Sequence, residues 1–172
     1  VPHAMDGVPH LTQPPIAPGA RFVYEFDAVD AGTYWYHPHS TSYEQVARGL
    51  FGALVVEEHV PAPVDRDVTW VLSDWRLTGE AQLRTDFRQM FDVAHAGRIG
   101  NTVTVNGVVA ESFDVRAGER IRLRLVNTAV ARIFALRFDG HAPLVIAYDG
   151  QPVAPHPPVE GRVVLGPGER VD

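Results

Sequence analysis

Arg120-Ile121-Arg122-Leu123-Arg124-Leu125-Val126-Asn127 alternates arginine with aliphatic side chains. Successive side chains of a strand point to opposite faces, so Ile121, Leu123 and Leu125 share one face and Arg120, Arg122 and Arg124 the other. Turn signals bracket this strand: Ala117-Gly118 before it, Asp139-Gly140 and Asp149-Gly150 after it, and the hairpin signal Asn106-Gly107 upstream. The short apolar runs between these turns predict strands at 68–72, 102–106, 112–116, 133–138, 144–148 and 159–165. Strands separated by turns every ~8–12 residues predict an all-β chain, a β-sandwich or Greek-key barrel. Gly166-Pro167-Gly168-Glu169 reads as a turn, with Arg170-Val171-Asp172 the first residues of a new strand.

The N-terminal third is organised differently. Residues 1–20 form a Pro-rich loop. Residues 21–29 alternate, with Phe22, Tyr24 and Phe26 on one face and Arg21, Val23, Glu25 and Asp27 on the other, which predicts a half-buried strand. After a turn at 30–32, the aromatic-rich run 33–39 predicts another strand. A short helical turn is expected around 43–47. A buried strand is expected over 49–56, with Gly52 marking a close backbone approach. The stretch 57–67 carries two prolines and five charges and breaks the pattern. The expected organisation is therefore a first domain ending at 58, a linker at 59–67 and a second domain over 68–172. Residues 79–95 are the most helix-permissive part, with loops around Gly97 and Gly100.

The chain has 172 residues with 45% hydrophobic content, enough for a sizeable core; Gly (15) and Pro (14) are in excess, as many turns require. Formal charge is −6 and every basic residue is Arg, a balance that argues against a nucleic-acid partner. No apolar run approaches the ~18–20 residues that span a bilayer. With no Cys, the chain holds no disulfide, thiolate zinc site, iron–sulfur cluster or Cys nucleophile.

The sharpest chemical feature is Tyr34-Trp35-Tyr36-His37-Pro38-His39. Residues i and i+2 of a strand share a face with Cα atoms about 6.5–7 Å apart. Two imidazoles so placed can share one metal or take one metal each of a close pair, and imidazole suits Zn, Cu, Fe and Ni. The same pair also fits two histidines that are simply hydrogen-bonded. Two ligands do not close a site, since three or four are usual for zinc. His3, His10, His59, His95, His141 and His156 are not spaced as ligand pairs and read as structural or solvated.

Three blocks carry a resemblance. Met5-Asp6-Gly7-Val8-Pro9, Thr12-Gln13-Pro14-Pro15-Ile16 and Pro18-Gly19 form the first. Gly32-Thr33-Tyr34-Trp35-Tyr36-His37-Pro38-His39, Gln45, Gly49-Leu50 and Gly52 form the second. Residues 103–107 and 144–153, with Asp149-Gly150, form the third. Together they resemble an internal piece of a multicopper oxidase of the laccase-like type with three cupredoxin domains. The resemblance implies cupredoxin-like Greek-key β-sandwiches, one partial and one nearly complete, the second truncated at its C-terminal end. It implies copper as cofactor, with His37 and His39 each binding one of the coupled coppers of a trinuclear centre. It also implies that Asp6 assists proton delivery as dioxygen becomes water. Trp35, Tyr34 and Tyr36 are expected to pack beside the site.

The departures set further expectations. The family's first copper motif, His-Trp-His-Gly, and its Cys-containing motifs are missing, so no type-1 copper site exists in this chain. The piece alone is expected to be inactive and poorly stable, with strand edges exposed. For the intact parent the resemblance implies one-electron oxidation of a reducing substrate (a phenol, an aromatic amine or a metal ion) coupled to four-electron reduction of dioxygen to water. A periplasmic or secreted location follows from the family alone. Two alternatives compete: a copper-free relative on the cupredoxin scaffold with a structural or cell-division role, and a two-domain copper oxidase or nitrite-reductase-like protein.

Overall fold

In the computed structural model, which describes residues 1–109 and 112–172, the arginine-bearing strand lies inside a mixed sheet. The strands are β1 (Gly32–Tyr36), β2 (Gly52–Val56), β3 (Arg66–Trp75), β4 (Thr102–Val105), β5 (Ile121–Asn127), β6 (Phe134–Leu136), β7 (Val145–Tyr148), β8 (Gln151–His156), β9 (Val163–Leu165) and β10 (Arg170–Val171). Two short helices, α1 (Ser42–Gln45) and α2 (Met90–Ala94), interrupt them. Residues 1–31 form one compact unit and residues 32–172 a second.

In the second unit six strands form a sheet in the order β4-β3-β5-β10-β7-β8, while β1-β2 and β6-β9 are separate pairs. β3 and β5 run parallel, from Arg66 beside Ile121 to Leu72 beside Asn127, and the other pairings are antiparallel. One face of the six-stranded sheet contributes Leu72, Leu125, Val145 and Val171 to the core. Phe134, Val163 and Leu165 from the β6-β9 pair and Ala129 complete that cluster. The result is a two-layer sandwich, each fully buried aliphatic or aromatic side chain stabilising it by about 1.5–3 kcal/mol.

The opposite face of β5 is buried as well. Arg124, only 1% exposed, forks onto Asp67 of β3 at 2.7 and 2.8 Å. Its Nη1 also donates to Thr33 Oγ1 (2.9 Å) and to Asp172 Oδ2 (3.3 Å). Arg122 donates to Asp172 Oδ2 from Nε and Nη2 (3.1 and 2.6 Å) and to Glu58 Oε1 from Nη1 (2.6 Å). The Thr33 hydroxyl donates to Asp172 Oδ1 at 2.7 Å. The period of two thus separates two interiors, one apolar and one ionic.

The turns follow their sequence signals. Asn106 and Gly107 have φ of 52° and 81°, and Val105 and Val108 exchange hydrogen bonds at 2.8 and 3.1 Å, the geometry of a type I′ hairpin. Asp149 and Gly150, with φ of 50° and 81°, turn β7 into β8 in the same way.

Several expectations are corrected. Residues 21–29 form no strand in the N-terminal unit, with Val23 75% exposed. Alternation alone makes no strand where no neighbour takes the backbone hydrogen bonds. Residues 112–116 are likewise irregular. The 49–56 run pairs only from Gly52 and is half-buried, because Gly49 caps the preceding helical turn in the left-handed region (φ 90°). β3 begins at Arg66, before the expected 68. In 159–165 only Val163–Leu165 is strand, following a tight turn at Val159–Gly161. β8 was not expected, since Pro152 and Pro155 interrupt it; it is an edge strand, where Pro is tolerated.

The helix-permissive stretch 79–95 forms only α2, because charge rather than an apolar stripe holds this segment. Arg76 forks onto Asp92 at 2.7 and 2.9 Å, and the guanidinium groups of Arg48 and Arg98 lie 4.6 and 4.4 Å from the centre of the Phe87 ring.

Candidate metal centre

β1 pairs with β2 from Gly32–Val56 to Tyr36–Gly52. A Cβ on Gly52 would overlap the Tyr36 phenol, so what closes on Gly52 is a side chain of the paired strand and not the expected stretch of backbone. Pro38 has no N–H to donate, and the strand stops at Tyr36. The residue before Pro stays extended, and the side-chain alternation continues past the strand end. Trp35, His37 and His39 therefore form one column. The Trp35 and His37 ring centres are 4.1 Å apart at 22°, and those of His37 and His39 are 4.7 Å apart at 21°.

His37 Nδ1 lies 3.2 Å from the Pro38 carbonyl oxygen. With Nδ1–H donating to that carbonyl, the Nε2 lone pair is left to ligate a metal. Burial holds the His37 pKa below its ordinary value; the Pro38 carbonyl works against this and the neighbouring His39 adds to it. A neutral imidazole is the metal-binding form. The donor set fits copper, for which imidazole is a suitable ligand. It does not complete a site: among the described residues no group of three or more His, Cys, Asp or Glu side chains is placed to hold a metal.

Asp6 lies in the N-terminal unit, in a cage built by its own loop. Its Oδ1 accepts from the Thr12 hydroxyl (2.7 Å) and from Val8 N–H (3.2 Å), and His3 Nδ1 lies 3.0 Å from its Oδ2. The Thr12 hydroxyl holds the Asp6 pKa below the usual carboxylate value; slight desolvation opposes this, and Val8 N–H and His3 reinforce it. Gly7, at φ 80°, makes the turn that closes the loop, and the Tyr24 hydroxyl packs against it.

Sequence reasoning placed Trp35 beside the histidines but missed what stands behind it. A Cβ on Gly168 would lie 3.4 Å from Trp35 Cζ2, and one on Gly150 would lie 2.9 Å from the Tyr34 ring. Both glycines read as ordinary turn residues; only the tertiary packing reveals them as surfaces on which β1 rests.

The arrangement has close counterparts among solved structures. The multi-copper oxidase of Pseudomonas thermotolerans superposes with a TM-score of 0.91 at 38% identity, over 98% of this chain and 41% of that one. The blue copper oxidase of Nitrosomonas europaea gives 0.79 at 34% identity, over 98% and 52%. The chain is thus an all-β protein of the cupredoxin class, its sheets not closed. Family models described as multicopper oxidase match residues 1–60 and residues 66–172, and the chain belongs to the multicopper oxidase family, whose cofactor is copper. Laccase-3 of Botryotinia fuckeliana is 32% identical over 97% of this chain, and the iron transport multicopper oxidase of Saccharomyces cerevisiae is 32% identical over 86%. The chain spans 38% and 23% of the lengths of these two relatives. No helix among the described residues is long and apolar enough to cross a membrane.

Proposed function

We propose that this chain is part of a copper-dependent oxidase that couples one-electron oxidation of a reducing substrate to four-electron reduction of dioxygen to water. In this reading the first domain ends at 58, a linker begins at 59, and the second domain takes in β3 from Arg66. His37 and His39 serve as ligands of the trinuclear copper centre, one to each of two coppers. The observation that carries the reading is the stacked imidazole pair, with the Pro38 carbonyl facing His37 Nδ1 and its Nε2 left for metal. Bound copper supplies the electron transfer and the dioxygen chemistry. The protein side chains supply geometry and protons. Asp6, ionised and caged by Thr12, Val8 and His3, takes and gives protons as water forms. The substrate class is a phenol, an aromatic amine or a metal ion, in line with the laccase and iron transport names of the relatives. The site of action is the periplasm or the exterior of the cell. By itself the chain consumes no dioxygen, because two histidines do not close a copper centre and no Cys is present for a type-1 site.

The copper content of the intact oxidase tests this. His37→Ala and His39→Ala are each expected to lower the copper-to-protein ratio and bring dioxygen consumption to background. A double variant that keeps the full copper content would overturn the ligand assignment and favour the copper-free scaffold reading.

A further inference from the structure

Residues 68–172 contribute no cluster of three or more metal donors among the described residues, yet this part of the chain, with the turns and strands of its sandwich, touches β1 residue by residue. Gly32 lies against the Gly150 backbone, where a Cβ would fall 2.6 Å from the carbonyl oxygen. Thr33, fully buried, is held through its hydroxyl by Arg124 and Asp172, and through its carbonyl by Arg170 Nε at 3.2 Å. Tyr34 covers Gly150 and faces the Arg170 guanidinium at 6.0 Å. Trp35 rests on Gly168, in the turn between β9 and β10. β2 is the one strand hydrogen-bonded to β1 among the described residues, and a two-stranded ribbon is marginal on its own. These contacts therefore fix where β1 lies.

We propose that Trp35 is a positioning residue through which the second sandwich orients the His37 and His39 imidazoles. The inference rests on the reading of those histidines as copper ligands. Gly168 backs one part of the indole, and a ring face of the indole stacks on His37, which in turn stacks on His39. Imidazole rotation about χ2 is broad and roughly two-fold when nothing confines it. Trp35 on one face and His39 on the other leave the His37 ring one plane. The sandwich that backs β1 thereby sets the direction in which the His37 Nε2 lone pair points.

Two readouts on the full chain test this with Trp35→Leu, Trp35→Phe and Gly168→Ala. In the metal-free protein, nuclear Overhauser contacts between the His37 and His39 ring protons report the stack independently of the indole's own ring current. Titration with copper(II) sulfate, with a His37→Ala/His39→Ala double variant as the reference, reports ligation at the pair. Trp35→Leu is expected to abolish those contacts and weaken copper binding about tenfold, the scale seen when the support of a ligand is removed. Trp35→Phe keeps a flat ring and is expected to retain most of both. Gly168→Ala, which puts a side chain at φ 83° in the turn that backs the indole, is expected to weaken the His37–His39 contacts even should Trp35→Leu fail to fold. Unchanged His37–His39 contacts in Trp35→Leu, or in Gly168→Ala, would overturn the proposal, as would a Trp35→Phe variant as impaired as Trp35→Leu. Contacts that are lost in Trp35→Leu, while wild type binds copper no better than the double variant, would uphold positioning and sink the ligand reading instead.

Discussion

Replacing Arg124 by Met is expected to destabilise the chain by about 3 kcal/mol, within the 3–5 kcal/mol that follows removal of one partner from a buried ion pair. Met fills most of the volume, so the loss is electrostatic rather than a cavity effect. Asp67 is 41% exposed in its side chain and regains water; Asp172, 2% exposed, does not, and keeps Arg122 as its one cation beside the Thr33 hydroxyl. Thr33 Oγ1 loses its donor while fully buried. For a chain of this length such a loss lowers the melting temperature by about 6–12 °C. Arg120→Met, at the exposed residue just before β5, is expected to change stability by less than about 0.5 kcal/mol. Urea or thermal unfolding of the two variants decides: equal, small effects would mean that the cluster is hydrated and adds little.

The same cluster gives stability a pH dependence. Burial works against ionisation of Glu58, but hydrogen bonds from Arg122 and from its own backbone amide, with the charges of Arg122 and Arg124, outweigh it and lower its pKa from the ordinary 4.5. A lowered carboxylate pKa contributes stability that is present above the unfolded value and lost as pH falls through the folded one. Asp67 and Asp172 face the same guanidinium groups. Melting temperatures of wild type and Glu58→Gln are therefore expected to differ near neutral pH and to converge below pH 4.5. Parallel curves down to acid pH would remove Glu58 from the cluster's energetics.

Asn127→Leu is expected to cost about 3–4 kcal/mol. Asn127 is fully buried at the end of β5, and its side chain satisfies three backbone groups. Nδ2 donates to the Arg132 and Leu165 carbonyls at 2.8 and 3.0 Å, and Oδ1 accepts from Ala129 N–H at 2.9 Å. Leu matches the volume and supplies none of these bonds. Each orphaned buried group costs about 1–3 kcal/mol, the amide more than the carbonyls, which keep a second lone pair. The midpoint of chemical denaturation measures the sum; a loss under about 1 kcal/mol would mean that water enters and replaces the amide.

What could be read in the sequence was local. The alternation at Arg120–Asn127, the Asn-Gly and Asp-Gly turns and the His37-Pro38-His39 spacing each rest on backbone geometry that a few residues determine. What could not be read depended on partners distant along the chain. Residues 21–29 have the same alternation as β5, but pairing and not pattern decides whether extended backbone is a strand. The arginines of β5 showed which side they were on, not that carboxylates from Glu58, Asp67 and Asp172 would close over them. At the candidate metal centre the two histidines and the neighbouring Trp35 were legible. The clamp behind them was not, because Gly150 matters for the side chain it lacks and Gly168 for a turn at φ 83° that happens to lie against the indole.

β8 has a consequence of another kind. Among the described residues it is the last strand of the six-stranded sheet, and such margins invite a neighbouring chain to add a strand of its own. Pro152 and Pro155 have no amide hydrogen to offer, and a bulge between Val145 and Ala147 breaks the ladder beside them. An incoming strand therefore meets gaps where it needs donors. The prolines that hide β8 from a reading of the sequence are what keep one molecule from templating aggregation of the next along that side.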